Sequence, residues 1–218
     1  MARTANPDLA QRRRGQIMQA ALACFRRRGF HQTSMQEICA EAQLSAGAVY
    51  RYFPSKTDII AAIAAADGQS RRELFKNVES GDQLIDTLVA SAERFIAKIV
   101  RQGDAPLMGD IMSETMRDPS LALRMRAGFA PVHAQLAHLI AEFQARGEFD
   151  ASLNPERTAR WVFGAVDGVC MRTVMWRRDE TAEIGADLRE LLERLLRPAA
   201  AATKLKKPEI RARREKVS

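Results

Sequence analysis

Apolar residues in the first sixty positions recur at helical spacing and are interrupted by short turns. One face of the first segment carries apolar side chains at positions i, i+4, i+7 and i+8, namely Ile17, Ala21, Cys24 and Phe25. Gly29 follows them, and glycine commonly ends a helix because it adopts a left-handed backbone without strain. The pattern predicts a first helix from about Leu9 or Gln11 to Arg28.

Two short helices are predicted next, joined by a tight turn. Thr33 or Ser34 caps the second helix, and Glu37 stands at capping-box distance from Ser34. After a turn at residues 43–44, Ser45 caps a third helix that begins with small residues and continues with tyrosines and an arginine. A helix end with little bulk, followed by aromatic hydroxyls and positive charge, suits an element that enters the major groove of DNA.

The rest of the chain predicts longer amphipathic helices. The fourth helix begins at Ser55 and runs to about Val78, long enough to leave a small first domain and to bridge to the remainder. Pro131 lacks a backbone N–H, so a kink is expected there. Further helices are expected over residues 82–101, 106–117, 119–146, 156–178 and 183–197.

Composition agrees with an all-α protein. Hydrophobic residues make up 46% of the 218 positions, glycines number only 12, and runs of β-branched residues are nearly absent. No apolar stretch approaches the 18 or so residues of a membrane span. The N-terminus also lacks the apolar run of a signal peptide. A cytoplasmic protein is therefore expected.

The sequence shows no constellation typical of an enzyme or a metal site. The three histidines form no ligand set, and none is preceded by the Glu-x-x-His spacing of a di-iron bundle. The cysteines form no CxxC pair, so reduced core thiols are expected at Cys24, Cys39 and Cys170. We expect no catalytic residues, no metal and no cofactor.

Positive charge is concentrated at the two ends of the chain. Residues 1–56 hold nine Lys and Arg against three acidic residues, a balance of +6, and residues 197–218 hold eight against two, again +6. The total is +7, so the middle of the chain is net acidic. This distribution favours polyanion binding by part of the protein, although a solvated surface would explain it equally.

The order of residues 11–60 resembles the DNA-binding domain of the TetR (tetracycline-repressor-like) transcriptional regulators. The pattern reads F-x-x-x-G-F, T-S, I-x-x-x-A and then L-S-x-G-x-V-Y-x-Y-F-x-S-K. The matching positions are Phe25, Gly29, Phe30, Thr33, Ile38, Ala42, Leu44, Ser45, Gly47, Val49, Tyr50, Tyr52, Phe53, Ser55 and Lys56. So many ordered matches make a specific signal.

The resemblance implies an all-α homodimer with a three-helix helix-turn-helix domain and a larger ligand-binding and dimerisation domain. We place the first at residues 10–70, the second at 71–198, and a basic, disordered tail at 199–218. The implied function is a repressor that binds a palindromic operator in double-stranded DNA and is released by a small apolar or amphipathic inducer. An activator, or a regulator without a ligand, remains the alternative.

One position departs from the family pattern. Gln43 stands at the turn where the family usually has glycine. A side chain in a left-handed backbone costs roughly 1 kcal/mol, so we expect a slightly strained turn rather than a different motif.

The resemblance places DNA contacts on and around the third helix. The expected set is Thr33, Ser45, Ala46, Gly47, Ala48, Tyr50, Arg51, Tyr52 and Lys56. Tyr50 and Lys56 are expected at phosphates, whereas Arg51 could bind guanine or phosphate. Thr33 could instead be a plain cap, and Tyr52 could pack on the fourth helix.

The regulatory half gives weaker signals. Candidates for a ligand pocket, or simply for a core, are Phe95, Ile99, Met108, Met112, Met116, Phe129 and Phe163. Small residues and a leucine stripe suggest a dimer face at Trp161, Gly164, Ala165, Gly168, Leu188, Leu191, Leu192 and Leu195. Asp110 and Glu114 are expected to face solvent.

Overall fold

The computed structural model describes residues 7–176 and 181–197. The structure is all-α, as predicted. Within these ranges the helices are α1 (Pro7–Arg28), α2 (Met35–Glu41), α3 (Ala46–Tyr52), α4 (Lys56–Leu74), α5 (Gly81–Gln102), α6 (Ala105–Arg117), α7 (Pro119–Ala145), α8 (Pro155–Trp176) and α9 (Thr181–Leu196). None of these helices is long and apolar enough to cross a membrane. The predicted tail at 199–218 lies outside the described residues.

One hydrophobic core lies among the first four helices, and we refer to it as the N-terminal core. Its largest fully buried side chains are Ile17, Phe25, Ile38, Phe53 and Ile59. Leu107 of α6 and Leu121 of α7 belong to the same core, although both come from much later in the chain. The first three helices therefore fold against part of the larger half of the protein, and not as an isolated unit.

A second core, the C-terminal core, lies among α5, α7, α8 and α9. Its fully buried members include Leu84, Ile85, Ile96, Phe143 and Phe149. The rings of Phe143 and Phe149 meet edge to face, with centroids 5.6 Å apart. Leu188 and Leu192 of α9, expected at a dimer face, are buried in this core of their own chain. Their leucine spacing thus marks an intramolecular contact.

Two helices link the two cores. α4 contributes Ile59 and Ile60 to the N-terminal core, and Phe75 directly after it belongs to the C-terminal core. α7 likewise places Leu121 in the first core and Val132 in the second. The predicted domain boundary between residues 70 and 71 falls inside α4, the helix that the two cores share.

The two shared helices cross where both lack side chains. A Cβ atom on Gly68 of α4 would lie 2.5 Å from the carbonyl oxygen of Gly128 on α7. A Cβ atom on Gly128 would lie 3.1 Å from the Cα atom of Ala65. The first distance is far inside van der Waals contact, so a side chain at position 68 would force the helices apart.

The N-terminal end of α6 is tied to α1 by an ion pair whose carboxylate is buried. Arg26 donates from Nε to Asp104 Oδ1 at 2.7 Å and from Nη2 to Asp104 Oδ2 at 2.9 Å. The Asp104 residue is only 5% exposed. A bidentate bond of this kind holds the two groups in one relative orientation.

A second link joins α6 to the loop after α1. The carboxylate of Asp110 accepts the backbone N–H of Phe30 at 2.9 Å, and Glu114 Oε2 lies 3.9 Å from His31 Nδ1. Asp110 and Glu114 were expected to face solvent, and that expectation is wrong because both contact the loop between α1 and α2. Nothing local in the sequence distinguishes them from solvated acids.

We expect Asp104→Ala to lower the free energy of unfolding by about 1–3 kcal/mol, because it leaves the Arg26 guanidinium without its buried partner. Chemical denaturation of the full-length protein measures this. The matched control is Asp86→Ala, since Asp86 pairs with Arg189 and both side chains are largely exposed. Loss of such a surface pair should change stability by less than about 1 kcal/mol. Equal effects of the two substitutions would contradict the prediction.

Candidate DNA-contacting surface

The beginning of α2 is fixed by a capping box. The Ser34 hydroxyl accepts the Glu37 backbone N–H at 3.2 Å, and the Glu37 carboxylate accepts the Ser34 backbone N–H at 2.7 Å. Ser34 is therefore the cap, one of the two residues that the sequence suggested. Thr33 is 2% exposed, and its hydroxyl donates to the Gly29 carbonyl at 2.8 Å. The expectation that this hydroxyl faces a phosphate is corrected, since it stabilises the end of α1 instead.

The turn between α2 and α3 adopts a left-handed backbone at a non-glycine residue. Gln43 has φ of 53°, as the departure from the family pattern predicted. The Leu44 N–H closes the turn on the Cys39 carbonyl at 3.1 Å. Gln16 of α1 donates its side-chain amide to the Ala42 carbonyl at 2.7 Å, a support that the sequence did not reveal. These two hydrogen bonds hold the turn between α2 and α3 in place.

The first turn of α3 presents little bulk to solvent. Ser45 caps the helix by accepting the Ala48 backbone N–H at 3.3 Å. Ala46 and Gly47 are exposed, and a Cβ atom on Gly47 would meet nothing within 4 Å. Val49 is fully buried in the N-terminal core, which fixes the rotation of the helix. The N-terminal end of α3 therefore projects from the domain, as an element that enters a groove must.

Three larger side chains follow on α3. Tyr50 is 45% exposed, and Arg51 is exposed as well. The Arg51 Nη2 atom donates to the Tyr52 hydroxyl at 3.3 Å, and its Cζ atom lies 5.2 Å from the Tyr52 ring centroid. Tyr52 is half-buried and packs against the N-terminal core. It therefore packs inward and orients Arg51, and its contact with a phosphate stays a prediction.

Lys56 lies inside the domain more than the sequence suggested. Its ammonium donates to the Phe30 carbonyl at 2.7 Å and to the His31 carbonyl at 3.2 Å. It also lies 4.8 Å from the Phe30 ring centroid. Partial burial lowers the pKa of this ammonium from its usual 10.5, although nearby Glu114 and Glu37 act in the opposite direction. Two of its three N–H groups donate to backbone carbonyls. Lys56 therefore acts as a clamp that joins the start of α4 to the loop between α1 and α2.

The arginines of α1 divide into two groups. At its C-terminal end Arg27 pairs with Glu41 at 2.6 Å, Arg28 pairs with Glu37, and Arg26 pairs with Asp104. These cations are largely neutralised and contribute little to an attraction for polyanions.

The other group lies near the start of α1. Arg14 donates to the Tyr52 carbonyl at 3.3 Å, and its Cζ atom lies 4.4 Å from the Phe53 ring centroid. It therefore holds the C-terminal end of α3 and is not part of a flexible arm. Besides Arg26 to Arg28, the positive charge of residues 7–56 comes from Arg12, Arg13, Arg14, Arg51 and Lys56.

The residues expected to line a ligand pocket do not lie together in the structure. Phe95 and Phe129 are half-buried beside the C-terminal core, Phe163 belongs to it, and Ile99 is buried. Met108 is half-buried, whereas Met112 is 43% and Met116 is 79% exposed. The methionines of α6 therefore do not face the three phenylalanines, because α6 turns its buried side to the N-terminal core.

The exposed side of α8 matches part of the expected dimer face. Trp161 is 46% exposed, Gly164 and Gly168 are exposed, and Ala165 is half-buried. Leu191 of α9 is 43% exposed and Leu195 is half-buried. Met175 and Trp176 at the end of α8 are exposed as well, fourteen and fifteen residues, or about four helical turns, after Trp161.

Comparison with known proteins gives two family matches that follow each other along the chain. The family described as "Bacterial regulatory proteins, tetR family" matches residues 17–63. The family described as "Tetracyclin repressor-like, C-terminal domain" matches residues 78–183. The first covers the N-terminal end of α4 and the three helices before it, and the second begins just before α5.

Individual proteins give the same picture. HTH-type transcriptional regulator UidR of Escherichia coli (strain K12) is 30% identical over 162 residues, which cover 73% of this chain and 81% of the relative. The structure of Salmonella enterica GusR is 31% identical with a TM-score of 0.69, covering 84% of this chain and 95% of the other. Bacillus subtilis FadR in complex with stearoyl-CoA shares the fold, with a TM-score of 0.64 at 19% identity over 81% of this chain and 96% of its own.

We expect Gln43→Gly to raise the free energy of unfolding by about 1 kcal/mol, because glycine adopts the left-handed backbone without a Cβ clash. The change in the denaturant midpoint measures it. Gln43→Ala is the control, since it removes the long side chain and keeps the Cβ atom, and it should give no such gain. A glycine variant less stable than the parent would mean that the glutamine side chain itself stabilises the turn.

We expect Lys56→Ala to destabilise the protein by about 1–3 kcal/mol, since it removes two charge-assisted hydrogen bonds from the Phe30 and His31 carbonyls. Thermal or chemical unfolding measures the loss. Lys76→Ala is the matched control, because Lys76 is an exposed lysine that pairs with the neighbouring, exposed Glu73. A Lys56→Ala protein of unchanged stability would show that the clamp contributes nothing to folding.

Proposed function

Because this chain belongs to the TetR family of bacterial regulatory proteins, we propose that it represses transcription by binding a palindromic operator as a homodimer and leaves the operator when a small molecule binds. Members of this family are DNA-binding regulators and not enzymes. The protein accordingly acts on double-stranded DNA, and we place it in the cytoplasm with the chromosome. The observation that carries the proposal is the exposed, small-residue start of α3 with Tyr50 and Arg51 beside it.

The docking surface that we propose is centred on α3. Ser45, Ala46, Gly47 and Ala48 let the backbone approach the groove closely, and Tyr50 donates its hydroxyl to a phosphate. Arg51 reads a guanine edge or pairs with a phosphate. Lys56 has one N–H left after its two carbonyl bonds, and that N–H can reach a phosphate near the start of α4. Thr33 contributes at most its backbone.

A two-fold operator requires two copies of α3 at a fixed separation. The two recognition helices of such a dimer lie about 34–36 Å apart, one turn of the duplex. The exposed apolar side chains Trp161, Met175, Trp176 and Leu191 support a second copy of this chain as the occupant of the α8 and α9 face. Gly164 and Gly168 leave room there for close helix packing.

Induction follows from the helices that the two cores share. A ligand held in the C-terminal core can change operator affinity only by favouring a different separation of the two α3 helices. α4 has one end in each core and α6 is bonded to α1, so a displacement in the second core is transmitted to the first. The same coupling could serve an activator, which is the alternative that the chain's own features leave open.

We expect Arg51→Ala to weaken operator binding through one of two measurable routes. If Arg51 reads guanine, the loss is about 1–3 kcal/mol and discrimination at one base pair disappears. If it pairs with a phosphate, all sequences weaken alike and the salt dependence falls by about one unit of slope. Titration of the gene's own upstream DNA at several salt concentrations separates the two, with Arg94→Ala as the control at an exposed arginine of α5.

The companion substitution is Tyr50→Phe, which removes only a hydroxyl. We expect it to weaken all DNA sequences by about twofold to tenfold, the worth of one hydrogen bond. If Arg51→Ala and Tyr50→Phe both left affinity unchanged at moderate salt, α3 would not be the docking helix.

A further inference from the structure

Four ionisable side chains from three helices meet beside the C-terminal core. Arg71 of α4 donates from Nε to Asp67 Oδ2 at 2.8 Å, and its Nη1 atom lies 3.9 Å from Asp167 Oδ1 of α8. His133 of α7 is near enough for Asp167 to influence its titration. We call Asp67, Arg71, His133 and Asp167 the α4–α8 cluster. It lies outside the DNA-docking surface proposed above.

Aromatic rings flank this cluster. The Arg71 Cζ atom lies 5.4 Å from the Phe95 ring centroid and 5.9 Å from that of Phe129. The His133 ring is tilted against Phe163, with centroids 4.3 Å apart. Phe95 and Phe129 are only half-buried, so part of each ring is available to a further apolar surface. The cluster is therefore a polar spot between apolar walls, the composition typical of small-molecule sites.

Much of the hydrogen-bonding capacity of the cluster is unused among the described residues. There the Arg71 guanidinium makes one hydrogen bond, from Nε, and its two terminal nitrogens make none. The separation of 3.9 Å between Arg71 and Asp167 is too long for a hydrogen bond. His133 has no hydrogen-bond partner within the same part of the chain. Donor and acceptor groups thus stand side by side without bonding each other. The side chains of Asp167 and Asp67 are 67% and 43% exposed, so the cluster is open to solvent and a ligand there would replace water.

The charge of the cluster restricts what can bind there. Burial lowers the pKa of His133 from its usual 6.5, against the opposing effect of Asp167, so the ring is neutral at pH 7. Burial, reinforced by the negative charge of Asp167, raises the pKa of nearby Cys170 to about 11, so the thiol is neutral too. Burial also raises the pKa of Asp167, against the lowering effects of Arg71 and His133. With the carboxylates of Asp67 and Asp167 and the guanidinium of Arg71 charged, the net charge of the cluster is −1.

This arrangement of charges disfavours both anionic and cationic ligands. An anion at Arg71 would face Asp67 and Asp167, while a cation at Asp167 would face Arg71 about 4 Å away. A hydroxyl group avoids both costs, because it accepts a hydrogen bond and donates one. One hydroxyl oxygen can reach the guanidinium and the carboxylate together, and a second beside it can use the remaining Nη donors or the imidazole.

We propose that the α4–α8 cluster binds a neutral ring compound through two neighbouring hydroxyl groups, held between Arg71 and Asp167. The ring lies against Phe95 and Phe129. Sugars and catechol-type phenols share this chemistry, and the proposal names the ligand class for the regulator proposed above, on which it rests. Such a ligand joins α4 to α8 at a point three residues beyond Gly68, where α4 crosses α7. It therefore acts on the helix that carries the DNA-binding half.

Calorimetric titration of the full-length protein tests this with a matched set of catechols. The neutral probe is 3,4-dihydroxybenzyl alcohol, its anionic counterpart is 3,4-dihydroxybenzoate and its cationic counterpart is 3,4-dihydroxybenzylamine. We expect the neutral probe to bind at least about tenfold more tightly than either ion, and benzyl alcohol, which lacks the diol, not to bind measurably. Phenyl β-D-glucopyranoside distinguishes a sugar ring from a phenol as the source of the hydroxyls. Preference for either charged catechol, or no binding of any diol probe, would overturn the proposal.

Variants assign the binding to the cluster. Asp167→Asn and Arg71→Gln should each weaken the neutral probe about tenfold or more, the worth of a hydrogen bond to a charged group. The controls are Asp86→Asn, a carboxylate of similar exposure on α5, and Arg72→Gln, the neighbouring exposed arginine that bonds Gln135. Arg71→Lys keeps the positive charge and most of the aliphatic side chain, so it separates loss of the guanidinium from loss of packing in Arg71→Gln. It should also lower the affinity for the neutral probe. Unchanged binding in Asp167→Asn would refute the site.

Operator binding, measured on the same preparations, keeps this proposal separate from the proposed function. Asp167→Asn protein without ligand should bind upstream DNA as the parent does. Normal DNA binding with no probe binding would refute the ligand assignment alone. A parent protein that bound neither its upstream DNA nor any other duplex specifically would refute the proposed function, whatever the calorimetry showed.

Discussion

The close approach of α4 and α7 at Gly68 and Gly128 is the constraint on which the arrangement of the two halves depends. A Cβ atom at position 68 would stand 2.5 Å from a backbone oxygen, so the two helix backbones are in direct contact at this point. Both chain segments contribute to the N-terminal core before the crossing, through Ile59 and Leu121. After the crossing both contribute to the C-terminal core, through Phe75 and Val132. The DNA-binding half is thus held by two crossed helices and not by a flexible linker, and its orientation depends on their angle.

A crossing without side chains also suits a change of that angle. Backbones that meet at glycines can rotate over each other with few side chains to repack, whereas interdigitated side chains hold one discrete angle. The α4–α8 cluster lies next to this point, because Arg71 follows Gly68 by less than one turn of α4. A bound molecule there would act close to the pivot, so a small displacement at the cluster corresponds to a larger one at the distant start of α4.

The parts of the fold that the sequence predicted are those with signals confined to a few residues. The caps of α2 and α3 each join residues three positions apart, and the strained turn was predicted from Gln43 itself. The roles of Lys56 and Arg26 depend on partners 26 and 78 positions away, so the local pattern gave only their charge. Thr33 was read as a surface hydroxyl because capping preference does not say which way a residue beside the cap turns.

The α6 helix shows the same limit for apolar patterns. Its methionines share one face at i, i+4 and i+8, but the face that is buried is the neighbouring one, with Leu107 and Ile111 against the N-terminal core. Spacing predicts that a helix has an inner face and does not predict which domain provides the other side. α6 is bonded to α1 through Asp104 and is joined to α5 by only two residues, Gly103 and Asp104. A rotation at the end of α5 therefore moves Asp104 first. The ion pair with Arg26 then carries that movement into the DNA-binding half, a second route beside α4.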